Sequence, residues 1–267
     1  MTRLARHAAG ILILAFGVLG TLDEARAQFE NKPMAIGELA HMYNEVGGET
    51  EYWAGGPYQL EWPAYHKERG TLRANVMWIG RANFTDENGQ EFPVKITHVG
   101  SRATGFGEFY PQEFTTFRRF EPTEVFVDGL PSENKVTDVD ETDPSMKFDQ
   151  KIVNVINSQT GITVTRTIYA LSHEDHDNYH VQEYILTNTG NTDDDPEAEV
   201  PDQVAEGVYL HLGYRYGYNN HVPGQEWGAN VVNDVVGNGV KQAETDLRAR
   251  YTWMGNSPGS EFDPMGS

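Results

Sequence analysis

Apolar and polar residues alternate with period two along most of this chain, a pattern that predicts strands rather than helices. Residues 162–190 carry it most clearly. Ile162, Val164, Ile168 and Ala170 fall on one side of the alternation, and Thr163, Thr165, Thr167 and Tyr169 on the other. A second arm, residues 179–187, is equally rich in β-branched and aromatic residues and closes on Asn188-Thr189-Gly190, a turn signal. The two arms predict a β-hairpin around a short, charge-dense connection.

The same alternation predicts strands over residues 75–84, 92–99, 124–128, 148–157 and 248–254. Asp86-Glu87-Asn88-Gly89 turns the first into the second as a meander, and Ser158-Gln159-Thr160-Gly161 leads into the hairpin. Over residues 207–218, Val208, Leu210, Leu212, Tyr214, Tyr216 and Tyr218 share one face. The three strands between residues 162 and 218 are therefore expected in one antiparallel sheet, its apolar face against a second sheet. One stretch departs from period two: in residues 35–44, Ile36, Leu39, Ala40 and Tyr43 have helical spacing, which predicts one short helix despite Gly37. The expected fold is mainly β, an antiparallel β-sandwich, either a super-sandwich or two stacked β-units, with that helix near its N-terminus. The polar connection at residues 131–144 separates an N-terminal β-rich part, 28–144, from a C-terminal antiparallel part, 145–267. The Gly- and Asn-rich end without a terminating element reads as a truncation.

Ahead of these elements, Arg3 and Arg6, an apolar run over residues 8–19 and Ala25-Arg26-Ala27 have the layout of a cleavable export signal, with a mature start at Gln28. The run is shorter than the roughly 20 residues that span a bilayer. The chain contains no cysteine, so neither disulfides nor a lipidated cysteine hold it. About 240 residues remain after cleavage, enough for a sizeable core. The formal charge is −20, and nucleic acid and anionic membrane surfaces would be repelled by it. A saline habitat and an ordinary acidic extracellular protein account equally well for the dispersed carboxylates.

The motifs Ala35-Ile36-Gly37-Glu38-Leu39, Gly48-Glu49-Thr50-Glu51, Trp62-Pro63, Trp78-Ile79-Gly80 and His98-Val99-Gly100 are followed by Glu183-Tyr184, Thr187-Asn188-Thr189-Gly190 and Gly207-Val208-Tyr209. Together, over most of residues 35–255, they resemble the N-terminal region of large, uncharacterised secreted or surface β-rich proteins of marine and Bacteroidetes-related bacteria. Those proteins often carry fibronectin-type or C-terminal sorting domains. The resemblance implies a secreted or cell-surface protein with a structural or adhesive role, part of a longer extracellular polypeptide.

Several groups are candidates for chemistry. Trp53, Tyr58 and Trp62, in an aromatic Gly/Pro-rich stretch, and the Tyr214, Tyr216, Tyr218 face offer flat rings on which a sugar stacks; the competing reading is that they plug the end of the sandwich. His173 and His176, with His180, Glu174, Asp175 and Asp177, have the ligand types of a zinc site, against an ordinary solvated hairpin tip. The alternation places His180 with Gln182 and Tyr184, away from the other two histidines. Asp138, Asp140 and Asp143 form one cluster of hard oxygen ligands, and Asn191, Asp193, Asp194 and Asp195 form another. Either suits Ca2+, and neither completes an EF-hand. No G-x-S-x-G elbow, cysteine nucleophile or phosphate loop is present. A noncatalytic protein is therefore the leading expectation, with extracellular glycans or other surface proteins as partners. A carbohydrate-binding module or a component of a glycan-active enzyme is the alternative.

Overall fold

A computed structural model describes residues 29–49, 60–64, 72–100, 104–122, 126–131, 139–216, 231–236 and 249–254. The segment read as an export signal, Trp53, Tyr58, Asp138 and Tyr218 lie outside them, as does the side chain of Tyr216. All but two of the described residues belong to one unit, Asn31–Ser267.

This unit is mainly β, built from antiparallel and mixed sheets, and no helix occurs among the described residues. The strands are β1 (Asn31–Ile36), β2 (Leu39–Asn44), β3 (Leu72–Thr85), β4 (Glu91–Gly100), β5 (Phe109–Arg118), β6 (Phe126–Val127) and β7 (Leu130–Pro131). They continue with β8 (Glu141–Thr142), β9 (Gln150–Ser158), β10 (Ile162–Ala170), β11 (Val181–Asn188), β12 (Glu206–Tyr216), β13 (Val231–Val236) and β14 (Ala249–Met254). A five-stranded sheet has the order β11-β10-β9-β5-β8 and a three-stranded sheet the order β12-β3-β4. The pairs β1-β2, β6-β7 and β13-β14 stand as two-stranded sheets. Both larger sheets draw strands from either side of Pro144, so the expected division into 28–144 and 145–267 runs through each of them.

The helix expected over residues 35–44 is instead a β-hairpin, in which Ile36 pairs with Leu39 and Asn31 with Asn44. Gly37 at φ +70° makes the reversal, a conformation most side chains resist. The helical spacing misleads because five of the six residues of β2 are buried. With both faces covered, alternation disappears and the apolar positions fall at helix-like intervals by coincidence. One face of this hairpin packs Met34 and Tyr43 on Ile152, Ile168 and Ala170 of the five-stranded sheet, with Ile36 and Phe114 at the margin.

The expected hairpin forms between β10 and β11, with Ile162 against Asn188 and Tyr169 against Val181. β12 does not join it: Leu212 lies opposite Met77 and Leu210 opposite Ile79, which places β12 beside β3 in the other sheet. β5 arises in a stretch where no strand was expected, and its pairing with β9 completes the centre of the larger sheet.

Each of the two larger sheets carries a wholly buried arginine. On β10, Arg166 shares the parity of Val164 and Ile168 and is wholly buried. Its guanidinium donates to the carbonyls of Asn44, Gly47 and Gly48 and to Oδ1 of Asn154, at 2.7 to 3.2 Å. On β3, Arg81 donates to the carbonyls of Thr160, Gln203 and Val204 and lies over the ring of Phe84. Backbone carbonyls at loop ends need donors, and a five-donor fork supplies several at once.

Candidate functional site

Three groups of side chains have the composition of a site, and they occupy different parts of the fold. The first is the acidic loop after β11. Asp193, Asp195 and Glu199 each direct a carboxylate oxygen to within 4.8 Å of the others. Asn191 is spent within the loop, accepting from the Asp193 N–H and donating to the Asp195 carbonyl. Asp194 is exposed and not part of the group. Glu199, which the sequence reading did not single out, completes the group and also accepts from the Thr192 N–H and hydroxyl. Three carboxylates at this separation form a hard-oxygen donor set of the kind Ca2+ takes.

The other expected ligands are arranged differently. Asp140 pairs with Lys32 and accepts the Thr116 N–H at 2.6 Å. Burial raises its pKa, but Lys32 and the Thr116 amide prevail and hold it below the ordinary value. Asp143 accepts from the N–H and hydroxyl of Ser145 and closes a turn. His173 and His176 are exposed at the hairpin tip, rings 5.9 Å apart, with His176 Nδ1 2.5 Å from the Tyr179 hydroxyl. His180 turns inward from them.

The second group is buried where β2, β11 and β12 meet. Glu49, which bridges to Tyr43 just after β2, places Oε2 2.9 Å from Nε2 of His41. Its Oε1 accepts from the Gln182 amide and the Tyr214 hydroxyl, each at 3.0 Å. Burial alone would raise the Glu49 pKa. The hydrogen bond and electrostatic interaction with His41, the Gln182 amide and the charge of Arg166 outweigh it and lower the value. His180 Nδ1 lies 3.0 Å from the Tyr43 hydroxyl. Burial, reinforced by His41, pushes the His180 pKa down to about 3, with Glu49 opposing, so this imidazole is neutral at ordinary pH. The Leu39 backbone also opposes the shift, yet no group completes a hydrogen bond to Nε2. Tyr184 stands beside Gln182 and donates to its Oε1, and burial raises the Tyr184 pKa.

A carboxylate on an imidazole is the orienting half of many acid–base sites. Here both carboxylate oxygens are occupied by donors from three elements, so the carboxylate itself has its acceptors filled from within the fold. Tyr214, expected on a sugar-stacking face, belongs to this interior: it pairs with the buried Asn75 and its hydroxyl is bound to Glu49. Sequence reasoning did not pair His41 with Glu49: Glu49 entered only within the Gly48-Glu49-Thr50-Glu51 motif of the resemblance, His41 in no motif, and only pairing across sheets brings them together with β11 and β12.

The third group lies on the outer face of the sheet β12-β3-β4. Trp78 is flanked on its neighbouring strands by His98 and His211, with ring centroids 6.1 and 5.7 Å away. The next row is Tyr209, Gly80 and Ile96, and beyond it Val94 stands opposite Ala82. Trp78 is 42 % exposed, Ile96 52 %, Val94 61 % and Tyr209 74 %. Trp62 is also exposed, but it lies in a short loop segment away from these strands in sequence, beside the bridge between Ala40 and Glu61. The signal for the third group was present: Trp78 and Tyr209 occupy the positions of opposite parity to the apolar residues of their strands. No protein-family model matches this chain, and no curated protein or solved structure matches it significantly.

Proposed function

We propose that this chain is a noncatalytic exported β-domain with a structural or adhesive role, part of a longer extracellular polypeptide, in which the two larger sheets oppose each other as a sandwich. The observation that carries the noncatalytic reading is that Glu49 has its acceptors filled from within the fold. Its carboxylate accepts from His41, Gln182 and Tyr214, so the most enzyme-like constellation among the described residues acts as a brace between strands of different sheets. Hydrogen bonds that tie both oxygens of a buried carboxylate to separate strands rigidify an interior and specify its arrangement.

The sandwich is supported at Gly47. A side chain there would strike both Met77 Cε of the three-stranded sheet and Ile156 Cδ1 of the five-stranded sheet, so the inner faces of the two approach the same backbone position. The export-signal layout of residues 3–27 supports an extracellular address, and the net charge of −20 accords with it. Ca2+ enters the proposal at Asp193, Asp195 and Glu199, where it would tie down a long surface loop.

The test is an activity screen of the purified protein against glycans, esters and peptides, with Glu49→Gln as control. No turnover is expected. A reaction that Glu49→Gln abolishes while the fold persists would show the cluster to be catalytic and sink the proposal.

A further inference from the structure

We propose that the outer face of the β12-β3-β4 sheet is a binding platform for a neutral carbohydrate chain, with Trp78 and Tyr209 as stacking rings; this rests on the noncatalytic, extracellular reading above. The face presents its side chains in rows across three paired strands, and one row is His211, Trp78, His98, one residue from each strand. A pyranose presents an apolar C–H face ringed by hydroxyls, so it needs an aromatic plane beside groups that donate and accept hydrogen bonds. This row supplies both.

Glu108 sharpens the polar part. Its Oε2 accepts the backbone N–H of His98 at 2.7 Å and also lies 3.1 Å from Nδ1 of the same residue. A carboxylate accepts only, so the contact assigns a proton to Nδ1 and leaves Nε2 as the ring atom directed to a ligand hydroxyl. The ring is thereby fixed in orientation before any ligand arrives.

Gly80 shapes the surface beside this row. It separates Tyr209 from Ile96 and contributes no side chain, so a lane runs alongside the Trp78 indole. Trp78 and Tyr209 are one strand and two residues apart, about 8 Å between Cα positions from sheet spacings, a separation suited to adjoining sugars of one chain.

Two other occupants fit less well. An aliphatic protein surface over this row would desolvate the imidazole and indole hydrogen-bonding edges without replacing their partners, which is costly. An acidic glycan would meet the field of a protein with net charge −20.

Affinity electrophoresis of the purified full chain in gels containing laminarin, xylan or galactomannan, and separately alginate or carrageenan, tests the proposal. At least one neutral polysaccharide is expected to retard the protein, and the acidic ones are not. Trp78→Ala is expected to weaken retardation at least tenfold. Gly80→Val is the second variant: a Cβ at this position meets only Ile96 Cγ1, at 3.8 Å, so the substitution fills the lane without straining the strand and should weaken retardation similarly at an unchanged melting temperature. Retardation by none of the neutral polysaccharides, or retardation that survives both substitutions, overturns the proposal. So does a dimer that Trp78→Ala dissolves, since the face would then be a self-association surface. Cleavage of a retained polysaccharide would support the platform while overturning the noncatalytic reading, so the two fail separately.

Discussion

Nε2 of His41 lies 2.9 Å from Oε2 of Glu49, with the two side chains only 1 % and 3 % exposed. A carboxylate so deeply buried persists only where donors replace its lost hydration, and His41, Gln182 and Tyr214 do so. Glu49→Ala removes the acceptor that these three donors share and is expected to cost about 3–5 kcal/mol, as does breaking other buried pairs. For a domain of this size that lowers the melting temperature by on the order of 10 °C. Glu49→Gln keeps an acceptor for Tyr214 and Gln182 and should cost less, about 1–3 kcal/mol. Thermal melts of the two variants check this, and equal stability of Glu49→Ala and wild type would show that the pair braces nothing.

His180 ties stability to acid pH. Its folded pKa is about 3 against 6.5 for the free side chain, so between those values the unfolded chain holds the additional proton. The contribution is complete above pH 6.5 and is lost as the pH falls toward 3, up to about 4–5 kcal/mol in all. Glu49, also lowered, contributes above its ordinary value of 4.5 and loses that contribution as the pH falls further. Urea midpoints measured from pH 8 to pH 4 are expected to fall continuously in wild type. In His180→Gln the fall between pH 6.5 and 4.5 should flatten; an unaltered slope would assign the acid sensitivity to other groups.

Arg166 is expected to resist conservative replacement. Its four acceptors, the carbonyls of Asn44, Gly47 and Gly48 and Oδ1 of Asn154, converge on two guanidinium nitrogens. A single ammonium cannot reproduce that fork. Arg166→Lys should cost more than about 3 kcal/mol, at roughly 1.5–3 kcal/mol for each charged hydrogen bond lost, and should expose the 44–49 segment to limited proteolysis. A lysine variant as protease-resistant as wild type would mean that the hairpin of β1 and β2 and the segment after it are held without the Arg166 fork, by contacts such as the packing of Met34 and Tyr43 and the Lys32–Asp140 pair.

Calcium at millimolar concentration is expected to raise the melting temperature and chelator to lower it, through Asp193, Asp195 and Glu199. The Asp193→Asn, Asp195→Asn double variant should melt at the same temperature in both. Identical wild-type melting with calcium and with chelator would leave these carboxylates as a solvated loop.

The expected hairpin of residues 162–190 formed because its information is local. Each arm alternates, a turn follows, and β10 and β11 pair through the shortest connection available. The same alternation made β3, β4, β9 and β12 legible one by one. It also contained a warning not drawn from it: Arg166 has the parity of Val164 and Ile168, so a charge on that strand had to be buried or the face had to be wet.

Period and turn chemistry in the sequence alone determined which residues extend, where many strands turn and which face of each is apolar. They left open which strand lies beside which. β12 carries the apolar face expected of it, yet it pairs with β3 rather than β11, because a face can be buried equally well in either sheet and only long-range packing distinguishes them. That choice sent Tyr214 inward to Glu49 and turned Tyr209 outward beside Gly80. In the same way, burial on both sides of β2 erased its period and made a hairpin read as a helix. A strand's own residues encode its two faces; what each face meets depends on chain segments more than a hundred residues away.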